Sequence, residues 1–298
     1  MEILLSIDSM ENREGFIWFD GELIEWNKAQ LHLLSHGLHY ASSVFEGERS
    51  YSGKIFKLKE HTERLFYSAK QLDLRVPFSI QEINDACYQT LEKNNLSDAY
   101  VRPIIWRGAE TMGVSAPNSK IHCAIAVWEW PSYFSPEEKL KGIRLTLSGW
   151  KRPSPETIPC QAKAAGLYMI CTLSKQEAES KGYDDALMLD WRGQVAEATG
   201  ANIFFMKEKE IHTPMPDCFL NGITRRTVID IAKEKGFEVI ERKIELEELD
   251  NFKQCFITGT AAEVTPVSVI DDYPFFVGNE IKELSDTYID LVNNWNGE

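Results

Sequence analysis

The chain has few cysteines, and none is paired along the sequence. Its six, Cys87, Cys123, Cys160, Cys171, Cys218 and Cys255, are dispersed; the nearest two, Cys160 and Cys171, lie 11 residues apart. Without a C-x-x-C, a zinc knuckle and a dense disulfide framework are excluded, and buried thiols in a reducing compartment are expected. Positive charge is scarce as well: 32 lysines and arginines face 46 acids, a formal net charge of −14. Such a surface repels a phosphate backbone, so nucleic acid is not an expected partner, although a few buried arginines are enough to hold a small anion. Long apolar runs are missing: the longest, around Cys123–Trp128, is too short for a bilayer. The first residues carry Glu2 where a secretory leader carries lysine or arginine. A soluble, cytoplasmic protein is expected. There is no G-x-G-x-x-G and no G-x-x-x-x-G-K-[ST], which counts against a Rossmann dehydrogenase and a P-loop enzyme, and no internal repeat.

What is present is an ordinary globular composition, 43% hydrophobic and 26% charged, over 298 residues, enough for two domains. Phe16–Phe19, Asp20-Gly21 and Glu22–Trp26 read as a hairpin, and Ser43–Leu58 as a second one around Ser52-Gly53. A helix over 59–73 would bury Leu65, Phe66, Ala69 and Leu72. Another opens with the capping box Ser79–Glu82 and would bury Ile80, Ile83, Cys87 and Leu91. Strands are expected at Ala99–Arg107 and Ile121–Trp130. The prolines of 131–138 mark a linker between a small domain, 1–130, and a larger one, 139–298. Beyond it come a strand at Ile143–Ser148, a helix at 168–181 stopped by Gly182, and strands Asp184–Asp190 and Gln194–Glu197. A helix at 224–235 stopped by Gly236 follows, and a last helix near 279–295 would turn Ile281, Leu284, Tyr288, Leu291 and Trp295 inward. Strands and helices mix without a βαβ rhythm, which predicts two α+β lobes.

Four constellations carry chemistry. His32, His36 and His39 superficially resemble metal-ligand spacing, but no acid interrupts them and Gly37 breaks the helix, so no metal site is expected. Lys163 sits among Ala162, Ala164, Ala165 and Gly166. Small neighbours admit a bulky group, and desolvation makes a lysine nucleophilic. The plainer reading is a lysine at the end of an Ala-rich turn. Leu220–Arg226 places a glycine, open backbone amides and Thr224 before a helix, an anion cradle or simply a threonine-capped start. Thr258–Glu263, after an apolar strand, offers small hydroxylated residues of the same use.

The order of these motifs resembles the branched-chain amino acid aminotransferases, pyridoxal 5'-phosphate (PLP) enzymes of fold type IV. The resemblance spans nearly the whole chain. It includes Ser35–Tyr40, Val44–Gly47, His61–Leu65, Tyr100–Pro103, Met112–Val114, Lys163 with Tyr168, Glu197 with Asn202, Gly222–Arg225 and Gly259–Glu263. It implies an α+β enzyme of two α/β lobes with the cofactor at their interface. Lys163 would carry PLP as a Schiff base and then act as acid and base. Glu197 would face the pyridine nitrogen and Tyr168 the phenolic oxygen. The phosphate would go to Arg64, Gly222, Ile223, Thr224 and Thr260. A surface ion pair of Arg64 with Glu60 or Glu63 is the alternative to that role.

For the substrate, the resemblance places Tyr100 and the amides of Thr260 and Ala261 at the α-carboxylate. Tyr40, Phe45, Gly47, Trp130 and Tyr133 would line the side-chain pocket. Arg102, two residues from Tyr100 and so on the same face of a strand, would receive the carboxylate of glutamate; anchoring Glu46 or Glu48 is the alternative to that role. Met112 and Val114 would reach into a neighbouring subunit, making at least a homodimer. Two departures stand out: Leu167 replaces a common asparagine, and Ala41 a frequent glycine. D-amino acid aminotransferases and aminodeoxychorismate lyases of the same fold share Lys163, Glu197 and the cradle. Tyr100, Arg102 and the Gly259–Ala262 turn favour the branched-chain reading.

Overall fold

A computed structural model of the chain describes residues 9–130, 134 and 136–297. The chain forms two compact units. One runs to Trp130 and takes in Ala164–Gly166 and Gly297; the other comprises Pro131–Lys163 and Leu167–Asn296.

The first unit opens on a hairpin of β1 (Phe16–Phe19) and β2 (Glu22–Glu25). Asp20 and Gly21 take φ of 50° and 103°, the two positive angles of a primed turn. Trp26, expected in the strand, instead starts a 3-10 turn. After α1 (His36–Tyr40) come β3 (Ser43–Phe45), β4 (Glu48–Tyr51) and β5 (Lys54–Ile55). The expected 43–58 hairpin is therefore only its second half. β4 and β5 close around Ser52 and Gly53, whereas β3 joins β6 (Ala99–Arg107).

Two helices follow β5, α2 (Leu58–Gln71) and α3 (Ile80–Lys93). The capping box of α3 is complete: the Ser79 amide donates to the Glu82 carboxylate at 2.7 Å, and the Glu82 amide to the Ser79 hydroxyl at 3.2 Å. Ile80, at the first helical position, stays 36% exposed rather than facing inward. α2 buries His61, Thr62 and Ser68 beside Leu65 and Ala69, while Phe66 and Leu72 are half-buried. Polar groups go inside there because they find partners, such as Asn84 for the Thr62 hydroxyl at 2.6 Å.

β6 and β7 (Ile121–Trp128) form the centre of a seven-stranded sheet among the described residues, ordered β2-β1-β7-β6-β4-β5 with β3 also on β6. Register sorts its faces. Val101, Ile105, Ile125 and Val127 are fully buried on one, and α3 packs on β1, β6 and β7. Tyr100, Arg102 and Ile104 point the other way, with Phe45 opposite Ile104 and Trp128 opposite Tyr100. That second face stays half-open.

In the second unit, α4 (Pro136–Lys141) begins inside the expected linker, because the first helical position needs no N–H and suits proline. The strands are β8 (Ile143–Leu147), β9 (Asp185–Leu189), β10 (Val195–Ala198), β11 (Asn202–Lys207), β12 (Glu210–Pro214), β13 (Glu238–Arg242), β14 (Gln254–Gly259), β15 (Glu263–Ile270) and β16 (Tyr273–Pro274). The helices are α5 (Tyr168–Ser180), α6 (Ile223–Glu234) and α7 (Asn279–Asn293). Gly182 and Gly236, at φ of 80° and 81°, follow α5 and α6. Among the described residues the second sheet has nine strands and runs β10-β9-β8-β15-β14-β11-β12-β13, with β16 on β15. A further pairing of β10 with β11 bends six of these strands into a closed ring. Ile203, Phe205, Ile257, Val267 and Leu145 belong to the apolar core of this unit. On α7 the inward set is Ile281, Leu284, Tyr288 and Val292; Leu291 is 37% exposed. Eleven residues complete about three helical turns, so Val292, not Leu291, returns to the face of Ile281.

Candidate active site

Lys163 lies between β8 and α5, five residues before Tyr168 at the first position of α5. Its Nζ donates to the Tyr168 hydroxyl at 2.6 Å and sits 4.9 Å from the ring centre. Glu197 lies on β10 where the ring closes, directly opposite Asn202 on β11. Its carboxyl is buried, and burial pushes its pKa up to about 7 against the opposing charges of Arg152 and Lys163. Arg152 Nε stands 3.3 Å from Glu197 Oε1, and Asn202 Nδ2 donates to Oε2 at 3.3 Å. The same Asn202 side chain donates to the Leu220 carbonyl at 3.0 Å and accepts from the Gly222 amide at 3.2 Å. One carboxamide thus joins the acid to the loop before α6.

Gly222, which has no side chain to cap it with, is the N-cap of α6. A Cβ at Gly222 would run into Asn202 Oδ1 and push that carboxamide aside, so glycine lets the two stay in contact. The amides of Ile223 and Thr224 therefore begin a twelve-residue helix with its positive end open to an anion. Arg225 is a strut: fully buried, it donates to the Pro214 carbonyl at 3.1 Å and to Glu241 at 2.8 Å. Thr260 and Ala261 form the turn between β14 and β15. Gly259 packs that turn against Gly200 and Ala201, next to the Glu197–Asn202 pair.

In the first unit, Tyr100, Arg102, Phe45 and Trp130 do come together. Arg102 Nη2 donates to the Tyr100 hydroxyl at 3.1 Å, and its guanidinium lies 4.8 Å from the Phe45 ring. Trp130 and Trp128 lie 5.2 and 5.1 Å from the Tyr100 ring. Arg102 Nε is buried with no hydrogen-bond partner among the described residues. A Cβ on Gly47 would strike the Tyr100 hydroxyl, so this glycine makes room for the phenol. Arg64, expected at a phosphate, grips Glu46 with its fork, Nε at 2.6 Å and Nη2 at 2.8 Å. Tyr133 lies outside the described residues.

Tyr40 and Val114 belong to a second group. They line a cavity of about 480 Å³ with His36, Arg107 and Ser115. Met112 and Val114 are 43% and 84% exposed. The three histidines bond different partners. His36 bridges the Ser42 hydroxyl at 2.6 Å and the Gly113 carbonyl at 2.9 Å, while His32 accepts from the Leu34 amide and His39 bonds the Leu33 carbonyl. Sequence reasoning missed Arg152, which lies among ordinary loop residues, and Glu46, whose pairing spans 18 residues. All six cysteines are buried and free.

A lysine on a phenol, a buried acid at a strand junction and an open helix terminus are what a PLP enzyme needs: a Schiff-base amine, a counter-charge for a pyridinium and a phosphate seat. Comparison with known proteins narrows the class. Residues 43–270 match the family Amino-transferase class IV. A probable branched-chain-amino-acid aminotransferase of Rickettsia felis is 48% identical over 86% of this chain and 87% of its own. The branched-chain-amino-acid aminotransferase of Pseudomonas aeruginosa is 42% identical over 96% of this chain and 95% of its own. The branched-chain amino acid aminotransferase of T.th., solved in complex with N-(5'-phosphopyridoxyl)-L-glutamate, superposes with a TM-score of 0.89. It is 39% identical, covering 94% of this chain and 95% of that one. The chain belongs to the class IV amino-transferase family.

Proposed function

We propose that this protein is a PLP-dependent aminotransferase that exchanges the amino group between L-leucine, L-isoleucine or L-valine and 2-oxoglutarate. The observation that carries the reading is the Lys163–Tyr168 contact in the same unit as the buried Glu197. The relatives' names and the phosphopyridoxyl-glutamate complex of the T.th. enzyme support the substrate pair. The residues fit the cofactor: a buried carboxyl at the junction suits a pyridinium N–H, and the uncapped end of α6 suits a phosphate.

Bound PLP supplies the carbonyl that receives the amino group and the electron sink that acidifies the substrate Cα–H. Lys163 would hold it through Nζ and, with that amine free, would move a proton between the substrate Cα and the cofactor's carbonyl carbon, acting as base and then as acid. Tyr168 holds Nζ in place. Glu197 holds a proton at the ring nitrogen, kept in line by Arg152 and Asn202. Ile223, Thr224, Thr260 and Arg64 seat the phosphate, with Gly222 giving the chain its turn. Tyr100 and the amides of Thr260 and Ala261 orient the α-carboxylate. Tyr40, Phe45, Gly47, Trp130 and Tyr133 shape the aliphatic pocket, and Arg102 accepts the second carboxylate of glutamate.

The active unit is a homodimer or a higher homo-oligomer, with Met112 and Val114 completing the neighbour's pocket; exposed Leu33 (75%) and Leu38 (61%) make the same region apolar. Sedimentation of a fully active monomer would contradict this. No helix among the described residues is long and apolar enough to cross a membrane, and we place the enzyme in the cytoplasm. The test is a spectrum with an assay. A visible Schiff-base band, abolished by borohydride and by Lys163→Ala, together with L-leucine-dependent glutamate formation, is expected of a PLP Schiff base. Use of D-leucine instead, or pyruvate released from aminodeoxychorismate, would assign the chain to another activity of the same fold.

A further inference from the structure

Between β3 and β4, the carboxylate of Glu46 has no exposed surface and accepts four hydrogen bonds. Arg64 Nε gives one at 2.6 Å and Arg64 Nη2 another at 2.8 Å; His61 Nδ1 donates at 2.7 Å and the Gly47 amide at 3.2 Å. Burial opposes the charge, but Arg64 and His61 outweigh it and hold the carboxyl well below the usual range, so it acts only as an acceptor. His61 and Arg64 stand three residues apart on one face of α2. A fork-on-carboxylate contact fixes the plane of a guanidinium as well as its position. Buried ion pairs of this kind seldom add net stability over an apolar packing, so orientation is the better reason for this one.

We infer that Glu46, steadied by His61, is the positioning residue of Arg64: it takes the Nε–Nη2 edge and thereby sets the direction in which the Nη1 end presents its N–H groups to the cofactor phosphate. This rests on the reading that Arg64 is a phosphate ligand. The carboxylate has two opposed effects. Its charge weakens the pull of Arg64 on an anion, and its geometry aims that pull; the inference is that aim dominates.

The test compares release of PLP and of pyridoxal, which lacks the phosphate, from the reconstituted holoenzyme by absorbance. It uses the unaltered protein, Arg64→Ala, Glu46→Gln, Glu46→Asp and the Glu46→Gln/Arg64→Ala double variant. Arg64→Ala should weaken PLP and leave pyridoxal unchanged. Glu46→Gln and Glu46→Asp should each weaken PLP about tenfold or more, the size of a lost charge-assisted hydrogen bond, again sparing pyridoxal. The double variant should be no weaker than Arg64→Ala alone. Unchanged or tighter PLP binding in the Glu46 variants, beside a weakened Arg64→Ala, overturns the positioning role. Equal losses for PLP and pyridoxal overturn it too, since they mark a purely structural effect. If Arg64→Ala itself leaves PLP unaffected, the phosphate reading of Arg64 fails first. Should Glu46→Gln not fold, Glu46→Asp decides, because it keeps the buried charge and draws the guanidinium back.

Discussion

Glu197 is the acid whose environment most departs from water. With burial raising its pKa to about 7, the folded, cofactor-free protein keeps a proton there that the unfolded chain gives up near the ordinary carboxyl value of about 4.3. That contribution to stability is complete below about pH 4.3 and fades as pH rises toward 7. Urea melts of PLP-free protein across this window should show the loss, and Glu197→Gln should remove it. The same variant of the holoenzyme should lose turnover by orders of magnitude, each tenfold being about 1.4 kcal/mol of barrier. A Glu197→Gln variant with unchanged turnover would mean that another acid faces the ring. Arg102 lends itself to a sharper split. Its buried Nε has no described partner, and no described ion pair joins it to Glu46 or Glu48. Arg102→Met should slow the half-reaction with glutamate far more than that with leucine, because an aliphatic side chain never used the charge. Equal losses in rapid-mixing measurements would make Arg102 structural.

Among the secondary-structure elements, α1 ends on Ala41 at φ 51°, ψ 27°, a left-handed conformation that costs a residue with a Cβ. This gives a physical reason for the glycine that the family pattern has there. Ala41→Gly should stabilise the protein by about 1 kcal/mol in denaturant melts. β4 holds the opposite kind of misfit. Glu48 is fully buried, and neither oxygen has a hydrogen-bond partner among the described residues; burial and then the charge of Glu46 hold its pKa well above the usual range. Glu48→Met should raise stability by about 1–3 kcal/mol, and an unchanged or lower melting midpoint would show that the carboxyl has a use. Local chemistry made much of this architecture legible. The Asp20-Gly21 turn, the Ser79–Glu82 box and the glycines after α5 and α6 each act within a few residues. What stayed hidden is contact over distance. The pairing of β3 with β6, the fork of Arg64 on Glu46 and Arg152 beside Glu197 leave no periodic mark in the chain. The polar lining of α2 reads as surface until Glu46 and Asn84 are known to face it.

For the molecule as a whole, the nine family motifs were readable as a set because their order along the chain is itself information. Lys163, Tyr168 and Glu197 meet in one unit, and Tyr100, Arg102 and Phe45 in the other, as residue types whose chemistry had already suggested a use. The loop carrying Met112 and Val114 was legible only as a motif. Its tether, the His36 bond to Gly113, was masked by a histidine spacing that imitates a metal site.

The closed ring of the second unit has a consequence for motion. An open sheet frays from its edge strands, and whatever sits on an edge shares that fraying. Here β10 would be an edge, but its pairing with β11 at Glu197 and Asn202 leaves it flanked on both sides. The acid therefore sits in a segment that opens only if the ring itself is broken. Amide hydrogens around Glu197 should exchange with solvent about as slowly as those of β14 and β15, and far more slowly than those of β13 or β16 at the periphery. Fast exchange at β10 would show the seam to be open much of the time, and the Glu197 carboxyl to be a moving part.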